Sequence, residues 1–159
     1  MTKFQLKNFF KTAYEIILVF LQFIIISLHF FKWDFIPEKQ IIQVTPFSYY
    51  LGFFIIIIAC IILLVAIKDL GRNLSPFPRS TKNSNLVTKG IYRFIRHPMY
   101  YSLIFISFGV FITKLSLYYL FLSISLFLII KSKIALEEQY LNNKFSNYLL
   151  YKNAKGNKY

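Results

Sequence analysis

Long apolar runs constrain this chain more than any other feature. Ala13 to Phe31 is one such run, and Phe47 to Ile67 is another, containing the stretch IIIIACIILLVAI. Wound as a helix, the nineteen residues of the first run cover about 28 Å, close to a hydrocarbon core of roughly 30 Å. A soluble domain of 159 residues has no interior for a sequence that is 57% hydrophobic and 16% charged. Backbone crossing a bilayer must satisfy its own hydrogen bonds, so the expected class is an all-α integral membrane protein. Gly52, Ala59 and Ala66 recur every seven residues in the second run and predict a face that another helix approaches closely.

Two further apolar runs, Pro98 to Thr113 and Leu115 to Ile130, are separated by Lys114. One long helix would leave this lysine at mid-membrane, which is expensive; a tight hairpin with Lys114 at the far surface is cheaper. The expectation is therefore about four transmembrane helices, ending in a helical hairpin whose last helix continues to about Leu141. Two regions follow within one domain: residues 1–67 as a two-span membrane region, and 68–159 as a catalytic region of polar loop, hairpin and tail. The first twelve residues read as a short interfacial helix. Glu15 and His29 are expected near the ends of the first span, within reach of water, and Gln22 is expected to hydrogen-bond within the bundle. Trp33 is placed as an interface anchor, and Cys60 as a buried, inert thiol.

The charge balance gives a direction. The formal net charge is +13, from 19 basic and 6 acidic residues. With spans this apolar, the basic excess points to lipid headgroups and topology, not to nucleic acid. The N-terminal segment, the long connection after the second span and the tail together carry sixteen basic residues; the other side carries Lys32, Lys39 and Lys114. Both termini and the long connection are therefore expected in the cytoplasm. The single cysteine excludes an intrachain disulfide and a cysteine-rich metal site.

The most polar and irregular stretch between apolar runs is Leu86 to Tyr101, LVTKGIYRFIRHPMYY. Gly90 permits a turn that other residues resist, and Pro98 suits the first position of a helix. Arg96 and His97 thus stand at a helix mouth, which favours an anion. Read alone, this is a basic loop flanking a span. A second block, Glu137-Glu138 followed by Leu141, Phe145, Tyr148 and Tyr151, lies beyond the hairpin. Adjacent glutamates diverge by about 100° on a helix, so one is expected to face inward, and Glu137 is the choice. An antiparallel hairpin would return this second block to the same membrane face as Arg96-His97-Pro98.

The pattern L-V-T-x-G-x-Y-x-x-x-R-H-P-x-Y resembles the signature of the isoprenylcysteine carboxyl methyltransferase family, which takes in phospholipid N-methyltransferase relatives. The second block resembles that family's E-E-x-x-L-x-x-x-F-x-x-Y-x-x-Y ending. The resemblance implies a membrane methyltransferase that uses S-adenosyl-L-methionine, with its active site facing the cytoplasm. Its partners would be the bilayer and a lipophilic or lipid-modified acceptor, with carboxyl O-methylation ahead of methylation of a phospholipid amine. It places cofactor contacts in the first block at Leu86, Val87, Gly90, Tyr92, Arg96, His97, Pro98 and Tyr100. In the second block it places them at Glu137 and Glu138. The helix mouth at His97, with Arg96, would suit the cofactor's carboxylate. A glutamate would suit its ribose hydroxyls or amine, and Tyr92, Tyr100 and Tyr101 its adenine or sulfonium. Lys133, one turn before Glu137, stands where the family carries an arginine associated with the acceptor; Lys133 and Glu137 are the candidate catalytic pair. No G-x-G-x-x-G fingerprint of a soluble dinucleotide fold is present. A nicotinamide-dependent membrane reductase with a similar C-terminal region, and a catalytically silent protein of the same fold, are the competing readings. The tail lacks the Ile-Pro ending usual in the family, and its last residues are expected to be unfixed.

Overall fold

The computed structural model describes residues 3–30, 39–78 and 86–156. Trp33, and Arg79 and Lys82 of the long connection, lie outside them. Five α-helices follow in order: α1 (Lys3–Phe30), α2 (Pro46–Leu70), α3 (Pro98–Lys114), α4 (Leu117–Lys144) and α5 (Tyr148–Gly156). Two 3-10 turns, Gly71–Asn73 and Gly90–Arg93, lie in the connection between α2 and α3. This is an all-α integral membrane protein. Three helical segments, Phe9–Phe30, Pro46–Asn73 and Leu117–Lys144, are long and apolar enough to cross a membrane, and α3 is a shorter apolar helix beside them.

Each helix begins and ends for a local reason. α2 starts at a capping box: the Thr45 hydroxyl accepts from the Ser48 amide at 3.2 Å, and the Ser48 hydroxyl accepts from the Thr45 amide at 3.1 Å. Such a cap is worth about 1 kcal/mol. Pro46 occupies the first turn, where no backbone donor is lost. Lys114 ends α3 exposed, Leu115 turns the chain with φ 46°, and Ser116 caps α4. This is the expected hairpin. A non-glycine residue in the left-handed region costs roughly 1–2 kcal/mol. Two bonds help hold the turn: the Leu115 carbonyl accepts from Ile41, and the Leu117 amide donates to Lys39, both in the segment before α2.

Packing is antiparallel along α2–α3, α3–α4 and α1–α4. The small residues expected to form a close face do so: Gly52, Ala59 and Ala66 are the buried residues of α2. A Cβ on Gly52 would come within 2.7 Å of the Gly109 carbonyl on α3, so only glycine lets the two backbones approach this closely. The remaining face of α2, including Phe53, Phe54, Ile57 and Ile61, is exposed and apolar, as a lipid-facing surface should be. A core of Ile25, Tyr119, Leu122, Leu126 and Ile130 joins α1 to α4.

Several sequence expectations are corrected here. The N-terminal segment is no separate interfacial helix; from Lys3 onward it is continuous with α1. Glu15 and His29 do not reach for water at the ends of the span. Glu15 is buried and accepts from the Tyr140 hydroxyl, while half-buried His29 bonds Ser107 at 2.8 Å and the Ile25 carbonyl at 2.8 Å. Both face α3 and α4 because a polar side chain toward lipid would lack partners. Cys60 is only half-buried. The tail forms α5 as far as Gly156, and the last residues, 157–159, lie outside the described residues. Gln22 bonds within the bundle as expected, accepting from Lys133 at 2.5 Å.

Candidate active site

The connection after α2 is tied down by one carboxylate. Asp69, near the end of α2, accepts from the Ile91 amide at 2.8 Å. Gly90 lies against the same carboxylate with φ +60°; a Cβ there would sit 2.0 Å from Asp Oδ2. Glycine is thus required twice, for its dihedral and for its missing side chain. The 3-10 turn that follows buries Tyr92, whose carbonyl accepts from the Tyr151 hydroxyl of α5 at 2.5 Å.

The chain then reaches His97, the residue before α3, with Pro98 at the first helical position as expected. The His97 side chain does not cap the helix. It is buried, tilts against the Tyr100 ring at 5.9 Å between centroids, and points Nε2 at Glu138 at 3.4 Å. Glu138 is the hub of three contacts. It also accepts from Arg96 Nη1 at 2.8 Å and from Lys152 Nζ of α5 at 2.7 Å. The two sequence blocks, about forty residues apart, therefore meet, because the hairpin returns α4 to the level at which α3 began.

Above this hub lies a cleft. Glu137 lines it, and is the only acidic side chain among the described residues that do. Tyr100 faces its carboxylate. Leu86, Val87, Tyr92, Arg96 and His97 line the cleft from the first block. Leu141, Phe145, Tyr148 and Tyr151 line it from the second. Leu70, Asn73, Ser75, Phe77 and Pro78 also line it. The sequence reading assigns the polar connection that begins at Lys68 to the catalytic region but singles out none of these five, because no motif in their spelling marks them. The walled volume is about 110 Å³. Burial pushes the Tyr92 and Tyr151 phenols above their usual range, and pushes Tyr148 up to about 12 with help from the Glu138 charge.

Not every candidate residue reaches this cleft. Of the two glutamates, Glu137 lines it and Glu138 braces Arg96, His97 and α5 beside it. Lys133 is buried one turn before Glu137, but its ammonium donates to Gln22 and, at 3.0 Å, to the Pro76 carbonyl. Tyr101 is exposed and does not line the cleft. Gly90 and Pro98 shape its backbone without lining it.

A family model described as phospholipid methyltransferase matches residues 47–148, from the start of α2 to the start of α5. This chain belongs to the phospholipid methyltransferase family. The match spans the first block, the hairpin and the second block as far as Tyr148, leaving Tyr151 and the rest of α5 beyond it. Phospholipid methyltransferases are membrane methyltransferases acting on lipid-like molecules. Comparison with curated proteins and with solved structures finds no match.

Proposed function

We propose that this protein transfers a methyl group from S-adenosyl-L-methionine to a lipid-like acceptor at the cytoplasmic face of a membrane. The observation that carries the reading is the meeting of Arg96-His97 with Glu137-Glu138 around one cleft in a chain of this family. The lining fits such a cofactor. Glu137 offers acceptors for a ribose diol or an ammonium group. Tyr92 and Tyr100 offer aromatic faces for an adenine or a sulfonium, and Leu86, Val87 and Phe145 an apolar wall. The cofactor, when bound, supplies a methyl group activated by its sulfonium. The residues of this chain need only align the acceptor with that carbon and keep water away. A volume of about 110 Å³ is below the roughly 300–1,000 Å³ of complete ligand sites, so a molecule of this size fills the cleft and extends beyond it.

Cytoplasmic orientation is supported by charge. Among the described residues, Lys39 and Lys114 lie at the hairpin end, whereas Arg93, Arg96, Lys144 and Lys152 lie at the cleft end. Two acceptor chemistries fit. Carboxyl O-methylation, the first choice from the motifs, would draw on Lys133 as the cation that holds the acceptor. A phospholipid amine, the second reading, is favoured by the engagement of that ammonium with Gln22 and Pro76. An amine must lose a proton before it attacks, and Glu137 is the carboxylate in the cleft able to take it.

The test is methyl-labelled S-adenosyl-L-methionine added to the purified protein in nanodiscs of phospholipid, with prenylated cysteine as a second acceptor. Label entering the lipid fraction as an alkali-stable adduct supports the amine reading, and an alkali-labile ester supports the carboxylate. Cofactor binding without transfer to either acceptor would point to the catalytically silent alternative. Absence of binding overturns the proposal.

A further inference from the structure

One buried polar atom stands apart. Among the described residues, the Tyr148 hydroxyl is the buried side-chain oxygen or nitrogen that has no hydrogen-bond partner. Buried polar groups are almost always paired, because leaving one unpaired forfeits its hydration without return. Tyr148 is 1% exposed and lines the cleft. The polar groups around it are engaged within the protein: Tyr151 donates to the Tyr92 carbonyl, and Arg96 and Lys152 hold Glu138. The ring thus stands at the first residue of α5, among the residues that line the cleft, with its buried hydroxyl unpaired.

We propose that the Tyr148 hydroxyl is a cofactor contact, donating a hydrogen bond to an acceptor atom of bound S-adenosyl-L-methionine and fastening α5 over the cleft. This rests on the methyltransferase reading above. At neutral pH the phenol keeps its proton, since burial moves its ionisation well into the alkaline range. It is thus a donor, whereas the cleft's carboxylate, Glu137, is an acceptor; the two recognise complementary atoms of one ligand. α5 already makes two contacts to the site, through Tyr151 and Lys152. The ligand supplies a third, so binding is coupled to docking of the helix.

The substitution Tyr148→Phe removes this oxygen and leaves the ring. Three readouts are taken on detergent-solubilised full-length protein: calorimetric affinity for S-adenosyl-L-methionine, the Tm of the ligand-free protein, and hydrogen exchange of residues 148–156 with and without ligand. A lost hydrogen bond weakens affinity roughly 3–10-fold. The ligand-free Tm should hold or rise, since no internal bond is broken, and the ligand-induced protection of α5 should shrink. Tyr151→Phe, which does break an internal bond, should lower the ligand-free Tm. Unchanged affinity in Tyr148→Phe overturns the contact. So does a fall in its ligand-free Tm or a failure to fold, either of which would mean that the hydroxyl serves the fold. Wild-type protein that binds no S-adenosyl-L-methionine overturns the cofactor reading itself, and this contact with it.

Discussion

Replacing Gly90 by alanine should disrupt the cleft wall through Asp69, and the size of the effect can be worked out. At φ +60° an alanine pays roughly 1–2 kcal/mol of backbone strain. Its Cβ would also lie 2.0 Å from Asp69 Oδ2, so the carboxylate must leave. That breaks the 2.8 Å bond to the Ile91 amide, a hydrogen bond to a charged group worth about 1.5–3 kcal/mol. Gly90→Ala therefore costs about 2.5–5 kcal/mol of loop docking by addition of these two terms. In an Asp69→Ala background neither the clash nor the bond exists, and only the strain of about 1–2 kcal/mol remains. The double-mutant coupling is then about 1.5–3 kcal/mol, or roughly 10- to 150-fold in a local opening equilibrium. Native-state hydrogen exchange at the Phe94 and Ile95 amides, both bonded to the Ile91 carbonyl, reports that opening directly. Affinity for S-adenosyl-L-methionine should fall in parallel, because Tyr92 is carried on the same turn. A coupling below about 0.5 kcal/mol, the range of independent sites, would mean that Gly90 and Asp69 do not act through one another.

Four further outcomes are expected. Glu137→Gln should weaken cofactor affinity by calorimetry with little change in Tm, because Glu137 lines the cleft. Glu138→Gln should lower Tm and expose α5 to proteolysis, because it releases Arg96, His97 and Lys152 together; the same loss from both variants would mean that the two glutamates are not divided between ligand and scaffold. His97→Ala should weaken binding several-fold while the bundle stays folded, and an unchanged calorimetric affinity would remove His97 from the site. In a Cys60→Ser background, Lys114→Cys and Lys144→Cys should label with a membrane-impermeant maleimide from opposite sides, Lys144→Cys from the cytoplasm; labelling of both from one side would contradict the hairpin as a membrane crossing.

Much of the architecture was determined by sequence alone. Apolar length, the cost of Lys114 in the membrane, and the small residues Gly52, Ala59 and Ala66 specify helices, a hairpin and a tight face, because each is a local or single-helix property. That only one of Glu137 and Glu138 faces inward follows in the same way from the angle between neighbouring helical positions, but that it is Glu137 is seen only in the fold. Tertiary structure decided which partner each polar group finds. Glu15 and His29 lie near the ends of an apolar run, but sequence does not say that α4 and α3 bring Tyr140 and Ser107 to them. Lys133 has the spacing of an acceptor-binding cation, yet α1 presents Gln22 to it across 111 positions of chain. Asp69, Tyr151 and Lys152 secure the cleft from outside the blocks' basic and acidic core, through bonds spanning 22, 59 and 14 residues. Only the packed structure shows that Tyr148, one of the second block's aromatics, keeps a buried hydroxyl with no partner, because pairing is settled by where helices from distant parts of the chain come to rest.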